Sequence, residues 1–150
     1  MPKVYASAIV PADADQVWRL AGDFNGLASW HPAIADSRLT AGDASSIGAV
    51  RELKTPDGGL IEEEQIARDE RNRTYTYTFT QSPFPVRSYV SVFRVAPVTA
   101  TNQAFVEWSA VYDAEAADEA AMNELFGERR LRRRAGRPGQ AVQRCLDRLP

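Results

Sequence analysis

Glu63, Arg51 and His31 are the residues whose types and spacing could carry chemistry. From Leu60 to Asp69 the chain alternates as a strand does, which puts Ile61, Glu63, Gln65 and Ala67 on one side. In the next strand Tyr75, Tyr77 and Phe79 point one way and Thr74, Thr76, Thr78 and Thr80 the other. If the aromatic side is the inside, Glu63 faces inward with it. An unpaired carboxylate is very costly in a dry core, so an inward Glu among aromatic rings predicts a partly wet cavity able to hold a ligand. Counting outward from the Pro56–Gly59 turn brings Arg51 close to Glu63 across one hairpin. A Glu paired with Arg51 stays charged, whereas an unpaired one holds its proton and can act as an acid. Four readings of the pair stand open: a structural ion pair, a pair turned to solvent, a polar anchor for a ligand, or a proton-transfer site.

His31 is the only histidine. A neutral imidazole there could act as acid or base or bond a ligand carbonyl, or it could simply bond backbone at a helix end. No nucleophile-elbow motif accompanies it. One His and one Cys do not make a zinc site. The chain has no glycine-rich phosphate loop, so neither metal nor cofactor is expected. Tyr77, Tyr89, Trp108 and Tyr112 fall on the inward faces of successive strands, where rings suit either a pocket for flat or lipidic molecules or an ordinary core.

These side chains need a scaffold, and the chain punctuates itself into one. Val4–Val10 reads as a strand ended by Pro11. Asp13 or Asp15 can cap a helix through Gln16, Val17, Trp18 and Leu20, and Gly22-Asp23 breaks it. A short second helix is predicted over Asn25–Trp30, stopped by Pro32. Strands follow at Ile34–Thr40, Gly48–Lys54, Leu60–Arg68, Arg73–Thr80, Val86–Val95 and Phe105–Asp113, and from Glu115 the chain turns helical with Met122, Leu125 and Phe126 at helix spacing. Short turns between consecutive strands imply an antiparallel meander, and the C-terminal helix is the available cover for its concave face. Thr55–Gly59 and Gln81–Pro85 should lie at one end of the sheet as rims of an entrance, with Phe84 placed to plug it.

The chain of 150 residues has the size of one domain with a real core. Cys145 is the single cysteine, so no internal disulfide can form and a reducing compartment fits. Residues 1–10 do not read as a secretory signal and no stretch reads as a membrane span, so the expected location is the cytoplasm.

The order of elements resembles the helix-grip fold of the START/Bet v 1-like (SRPBCC) superfamily. Val17-Trp18, Asp23-Phe24, Trp30-His31-Pro32, Gly48-Ala49-Val50-Arg51, Ile61-Glu62-Glu63, Tyr75-x-Tyr77, Pro85-Val86-x-x-Tyr89 and Glu107-Trp108-Ser109 are similar to its polyketide cyclase/dehydrase-like branch over roughly residues 3–127. The resemblance implies one α+β domain over residues 1–150. Its expected form is a seven-stranded curved antiparallel sheet around a long C-terminal helix, with two short helices after the first strand and a hydrophobic tunnel between sheet and helix. It also implies carriage or sensing of a small hydrophobic or amphipathic molecule. The expected lining is Arg51, Glu63, Tyr77, Tyr89, Trp108 and Tyr112, with Trp30 and His31 near a mouth and Phe84 at the rim. Two other classes stay open: a polyketide cyclase or dehydratase using Glu63 or His31 as acid/base with Arg51 polarising a carbonyl, and a protein-interaction module of the cochaperone-like branch. The expected partner is a small hydrophobic ligand; nucleic acid is not expected, and no oligomeric state is implied.

The C-terminal end departs from that pattern. Residues 128–150 hold eight arginines against Glu128 and Asp147, within a chain of net charge −2. Arg129, Arg130 and Arg133 occupy positions where helix spacing demands core residues, and Gly136-Arg137-Pro138-Gly139 should break the helix. Three explanations stand: a reading-frame change near codon 129, a basic arm for phosphate groups, or a neutral variant end. GC-rich codons for Arg129–Val142 can be chosen so that a start one base later reads Gly-Val-Tyr-Ala-Ala-Gly-Leu-Asp-Ala-Leu-Ala-Arg-Arg, which fits the expected helix. The gene sequence decides this point.

Overall fold

The computed structural model describes residues 2–31 and 33–127. The arginine-rich stretch, with the helix break expected there, lies outside the described residues. Seven strands form one antiparallel sheet: β1 (Lys3–Val10), β2 (Asp36–Ala41), β3 (Val50–Lys54), β4 (Leu60–Asp69), β5 (Thr74–Gln81), β6 (Val86–Val98) and β7 (Gln103–Ala114). Their spatial order is β1-β7-β6-β5-β4-β3-β2. Strands β2 to β7 follow one another as hairpins, and β1 closes onto β7 with Tyr5 opposite Ser109. A C-terminal helix α2 (Ala116–Gly127) follows β7 and packs against β7 and β1.

Helix α1 (Ala14–Ala21) follows β1. Its buried residues Ala14, Val17, Trp18 and Ala21 recur at three- and four-residue steps, so one stripe of the helix faces the sheet. Of the two candidate caps, Asp13 holds the first turn: its side chain accepts the Gln16 N–H at 2.9 Å. The outer end of the stripe is tied down by a short polar relay. Trp18 Nε1 donates to Glu70 Oε2 at 2.7 Å, the Arg68 guanidinium lies 4.8 Å from the Trp18 ring centre, and Arg68 Nη1 donates to the Gly22 carbonyl at 2.8 Å.

The second helix expected over Asn25–Trp30 is a single 3₁₀ turn, Leu27–Ser29. The Asp23 side chain takes the Asn25 N–H and the Asp23 carbonyl takes that of Gly26, so the segment begins as a turn rather than as helix. Strand β2 starts at Asp36 rather than Ile34, because Ile34 N–H turns back to the His31 carbonyl at 3.2 Å. Strand β6 continues past Val95 through Pro97 to Val98. Pairing with β5 ends at Arg94, so Pro97 faces a strand only on its β7 side and its missing N–H leaves no gap in the ladder.

Two register shifts interrupt the β4–β5 pairing: at Glu62/Glu63 the extra residue is Thr80 on β5, and at Gln65/Ala67 it is Ile66 on β4. The second corrects one expectation. Ile61, Glu63 and Gln65 are buried, but the extra residue Ile66 rotates the strand and leaves Ala67 exposed. Because Asp13 caps α1 while Asp15, the other candidate, is engaged by Arg73, Asp13→Ala should cost about 1 kcal/mol, read as a lower midpoint in urea unfolding; no change would show that β1 and Trp18 alone hold the helix.

Candidate functional site

The hairpin β3–β4 places Arg51 directly opposite Glu63. Both side chains point inward, and Arg51 is 0% exposed. Arg51 Nε donates to Glu63 Oε2 at 2.7 Å, and Nη2 lies 2.5 Å from the same oxygen. Nη1 donates to the Phe24 carbonyl at 2.5 Å. The guanidinium carbon sits 4.1 Å from the centre of the Phe24 ring and 5.0 Å from that of Tyr77, within cation–π range. Burial alone would pull the Arg51 guanidinium down, but the charge of the Glu63 carboxylate and then the nearby Tyr75 and Tyr77 hydroxyl groups outweigh it, so its pKa is raised. The pair is therefore neither solvent-facing nor isolated.

Beside the pair the sheet, the 3₁₀ turn and α2 border a partly open cavity of about 540 Å³. Its apolar wall includes Leu27, Ile34, Leu53, Ile61, Phe79 and Phe126, and Glu63, His31, Tyr77 and Trp108 bring polar atoms to it. Thr55, Pro56, Asp57 and Gly59 from one loop and Pro83 and Phe84 from another reach the same cavity. The two loops thus meet at one end of the sheet. Gly58 takes φ +87° in the first loop, a conformation that favours glycine. Phe84 packs edge-on to Phe126 at 5.4 Å between ring centres, so this loop and the helix meet at the cavity's edge.

Of the residues expected at the lining, Glu63, His31, Tyr77, Trp108 and Phe84 border this cavity, while Arg51, Trp30, Tyr89 and Tyr112 lie off its wall. Arg51 is screened by Glu63 and the Phe24 ring. Tyr89 stacks on Phe79 at 3.8 Å, nearly parallel. The Tyr112 hydroxyl donates to Asn123 Oδ1 at 2.5 Å, tying β7 to α2. Trp30 packs against Trp108 with ring centres 5.8 Å apart. His31 Nδ1 accepts the Ala33 N–H at 3.2 Å, which in the neutral ring places the proton on Nε2. Trp108 Nε1 is shared between Ser91 Oγ at 2.9 Å and Tyr77 Oη at 3.1 Å. Leu53, Ile61 and Phe79 were not picked out from sequence as lining. The signal was present, since each stands two residues from Arg51, Glu63 or Tyr77 on the same strand face, and Leu53 pairs with Ile61.

A bent sheet gripping a helix around an apolar cavity with a few polar groups is the helix-grip, Bet v 1-like class. The chain belongs to the polyketide cyclase/dehydrase and lipid transport family, which it matches over residues 1–149. A Bacillus thuringiensis protein is 35% identical, covering 83% of this chain and 87% of its own with a TM-score of 0.75. XoxI from Bacillus cereus is 32% identical over 99% of this chain and 97% of its own, with a TM-score of 0.80. Norcoclaurine synthase from Thalictrum flavum shares the fold at 17% identity, with a TM-score of 0.73 over 99% of this chain and 87% of its own.

Removing one member of the buried pair should hurt more than removing both. Arg51→Met leaves the Glu63 charge without its partner and should lose about 3–5 kcal/mol, and adding Glu63→Leu should restore most of it; urea unfolding of the two variants measures this, and equal losses would contradict a mutually dependent pair.

Tyr75 supplies a pH test of the same region. Burial, partly offset by Arg51, pushes its pKa from 10.0 up to about 12. Its hydroxyl makes no hydrogen bond among the described residues. Between those pH values the unfolded tyrosine loses its proton and the folded one keeps it, so stability falls as pH rises. The contribution is up to about 1.4 kcal/mol per pH unit. Tyr75→Phe should lose less stability than the parent across that window in alkaline urea titrations; identical alkaline slopes would show that Tyr75 titrates normally.

Proposed function

We propose that this protein binds a small hydrophobic or amphipathic molecule in the cavity beside Glu63, as a carrier or sensor in the cytoplasm. The observation that carries this reading is the cavity itself, about 540 Å³ with a mainly apolar wall and few polar groups. Both its size and its composition fall in the range of small-molecule sites. The family's description, which includes lipid transport, supports the same reading. The lining proposed for the ligand is Glu63, His31, Tyr77, Trp108 and Phe84, with Leu53, Ile61 and Phe79 added. Arg51 acts from behind as the residue that holds Glu63 in place.

Titration with the fluorescent apolar probe N-phenyl-1-naphthylamine tests the reading. The parent should bind it with saturation and gain thermal stability, by about 2.7 kcal/mol when free probe is a hundredfold above its dissociation constant. Ile61→Trp fills the cavity from its wall and should weaken binding at least about tenfold, equivalent to roughly 1.4 kcal/mol, with circular dichroism unchanged. Equal probe affinity in Ile61→Trp would place the probe elsewhere and overturn the proposal.

A further inference from the structure

The two contacts of Arg51 with Glu63 both fall on Oε2. Among the described residues no hydrogen bond reaches Glu63 Oε1, and the residue borders the cavity. The cation is on the far side. Arg51 is fully buried, its other nitrogen Nη1 is committed to the Phe24 carbonyl, and its flat faces are covered by the Phe24 and Tyr77 rings. A molecule in the cavity therefore meets the acceptor half of an ion pair and not the donor half. The polar atoms of Trp108 and Tyr77 nearby are engaged with each other and with Ser91.

We propose that Glu63 Oε1 is the cavity's specificity-determining acceptor, and that it selects neutral apolar molecules bearing a hydroxyl donor, phenols or alcohols, over ionised carboxylates. The inference rests on the cavity-binding reading and names the ligand class within it. A hydroxyl bonded to a carboxylate is a charge-assisted hydrogen bond, stronger than a neutral one. An ether of the same skeleton offers no donor and leaves Oε1 without a bond in a space now emptied of water. An ionised carboxylate meets like charge there and cannot reach Arg51. An ammonium is drawn to the same oxygen but must give up its hydration to enter a mainly apolar space, a cost that a neutral hydroxyl does not carry.

Three probes on one ring system decide the matter: 2-naphthol, 2-methoxynaphthalene and naphthalene-2-carboxylate, compared by calorimetry at neutral pH. The parent should bind 2-naphthol at least about tenfold tighter than either of the others, the size expected for a hydrogen bond to a charged acceptor. The paired replacement Arg51→Met with Glu63→Leu should erase the preference for 2-naphthol over 2-methoxynaphthalene while the ether still binds, which shows an intact cavity. The ratio in the parent needs no variant and stands even if the double replacement does not fold. Equal affinity for 2-naphthol and its ether, both weakened by Ile61→Trp, would overturn the role of Glu63 and leave the cavity reading standing. Tighter binding of the carboxylate would overturn it too, by showing that Arg51 is reached. Binding of none of the three would overturn both.

Discussion

A guanidinium with no access to water constrains much of this fold. Moving such a cation out of solvent costs several kcal/mol even after relaxation, and the cost is offset only by close, well-directed partners. Arg51 draws them from four places at once: Glu63 on the neighbouring strand, the Phe24 carbonyl after α1, and the faces of Phe24 and Tyr77. The β3–β4 register, the path of the chain between α1 and the 3₁₀ turn, and the inward set of β5 all have to be correct together for this charge to be tolerated. A one-residue slip in β3 would turn Arg51 out and Leu53 with it, and Leu53 is part of the cavity wall.

The cavity follows from the same constraint. With Glu63 held back against Arg51, the space in front of it is walled by Ile61, Leu53 and Phe79 rather than filled by a long side chain. The bulge opposite Glu62/Glu63, with Thr80 as its extra residue, bends β5 at this point. On the opposite wall Trp108 is fixed by Ser91 and Tyr77, and Ser91 Oγ in turn donates to the Ser109 carbonyl at 2.9 Å. A shared, satisfied polar network of this kind keeps large rings in set positions. Phe126 on α2 packs against Phe84 and Tyr89 at the cavity's edge. A helix and a proline-flanked loop thus meet in a packed aromatic contact at the edge of the cavity.

Strand alternation was sufficient to place Glu63, Tyr75 and Tyr77 inward and to pair Arg51 with Glu63, because in a hairpin the turn fixes the register. The order of elements was legible from turn chemistry alone, as at Thr55–Gly59. What alternation could not show was a bulge. Ala67 was assigned to the inner face because nothing in the run Gln65-Ile66-Ala67 distinguishes an extra residue from a regular one. Nor could it show depth. Arg51 and Glu63 share a face, yet one borders the cavity and the other lies behind a ring, a difference set by Phe24 from a distant part of the chain. Tyr89 and Tyr112 are inward as expected but serve neighbours, Phe79 and Asn123, that only the tertiary structure brings to them. The reduction of the second helix to one 3₁₀ turn came from Asp23 bonding its own local backbone, a competition that helix periodicity does not register.

The protein offers an apolar probe two kinds of surface: the interior beside Glu63, and the outer sheet face where Ile9, Val90 and Val92 are exposed. Intermolecular nuclear Overhauser contacts from methyl-labelled protein to bound N-phenyl-1-naphthylamine separate them most directly. Contacts from the probe to the methyl groups of Leu53 and Ile61 are the predicted result. Contacts confined to Ile9, Val90 and Val92 would mean that the interior stays empty and that the ligand-binding account is wrong.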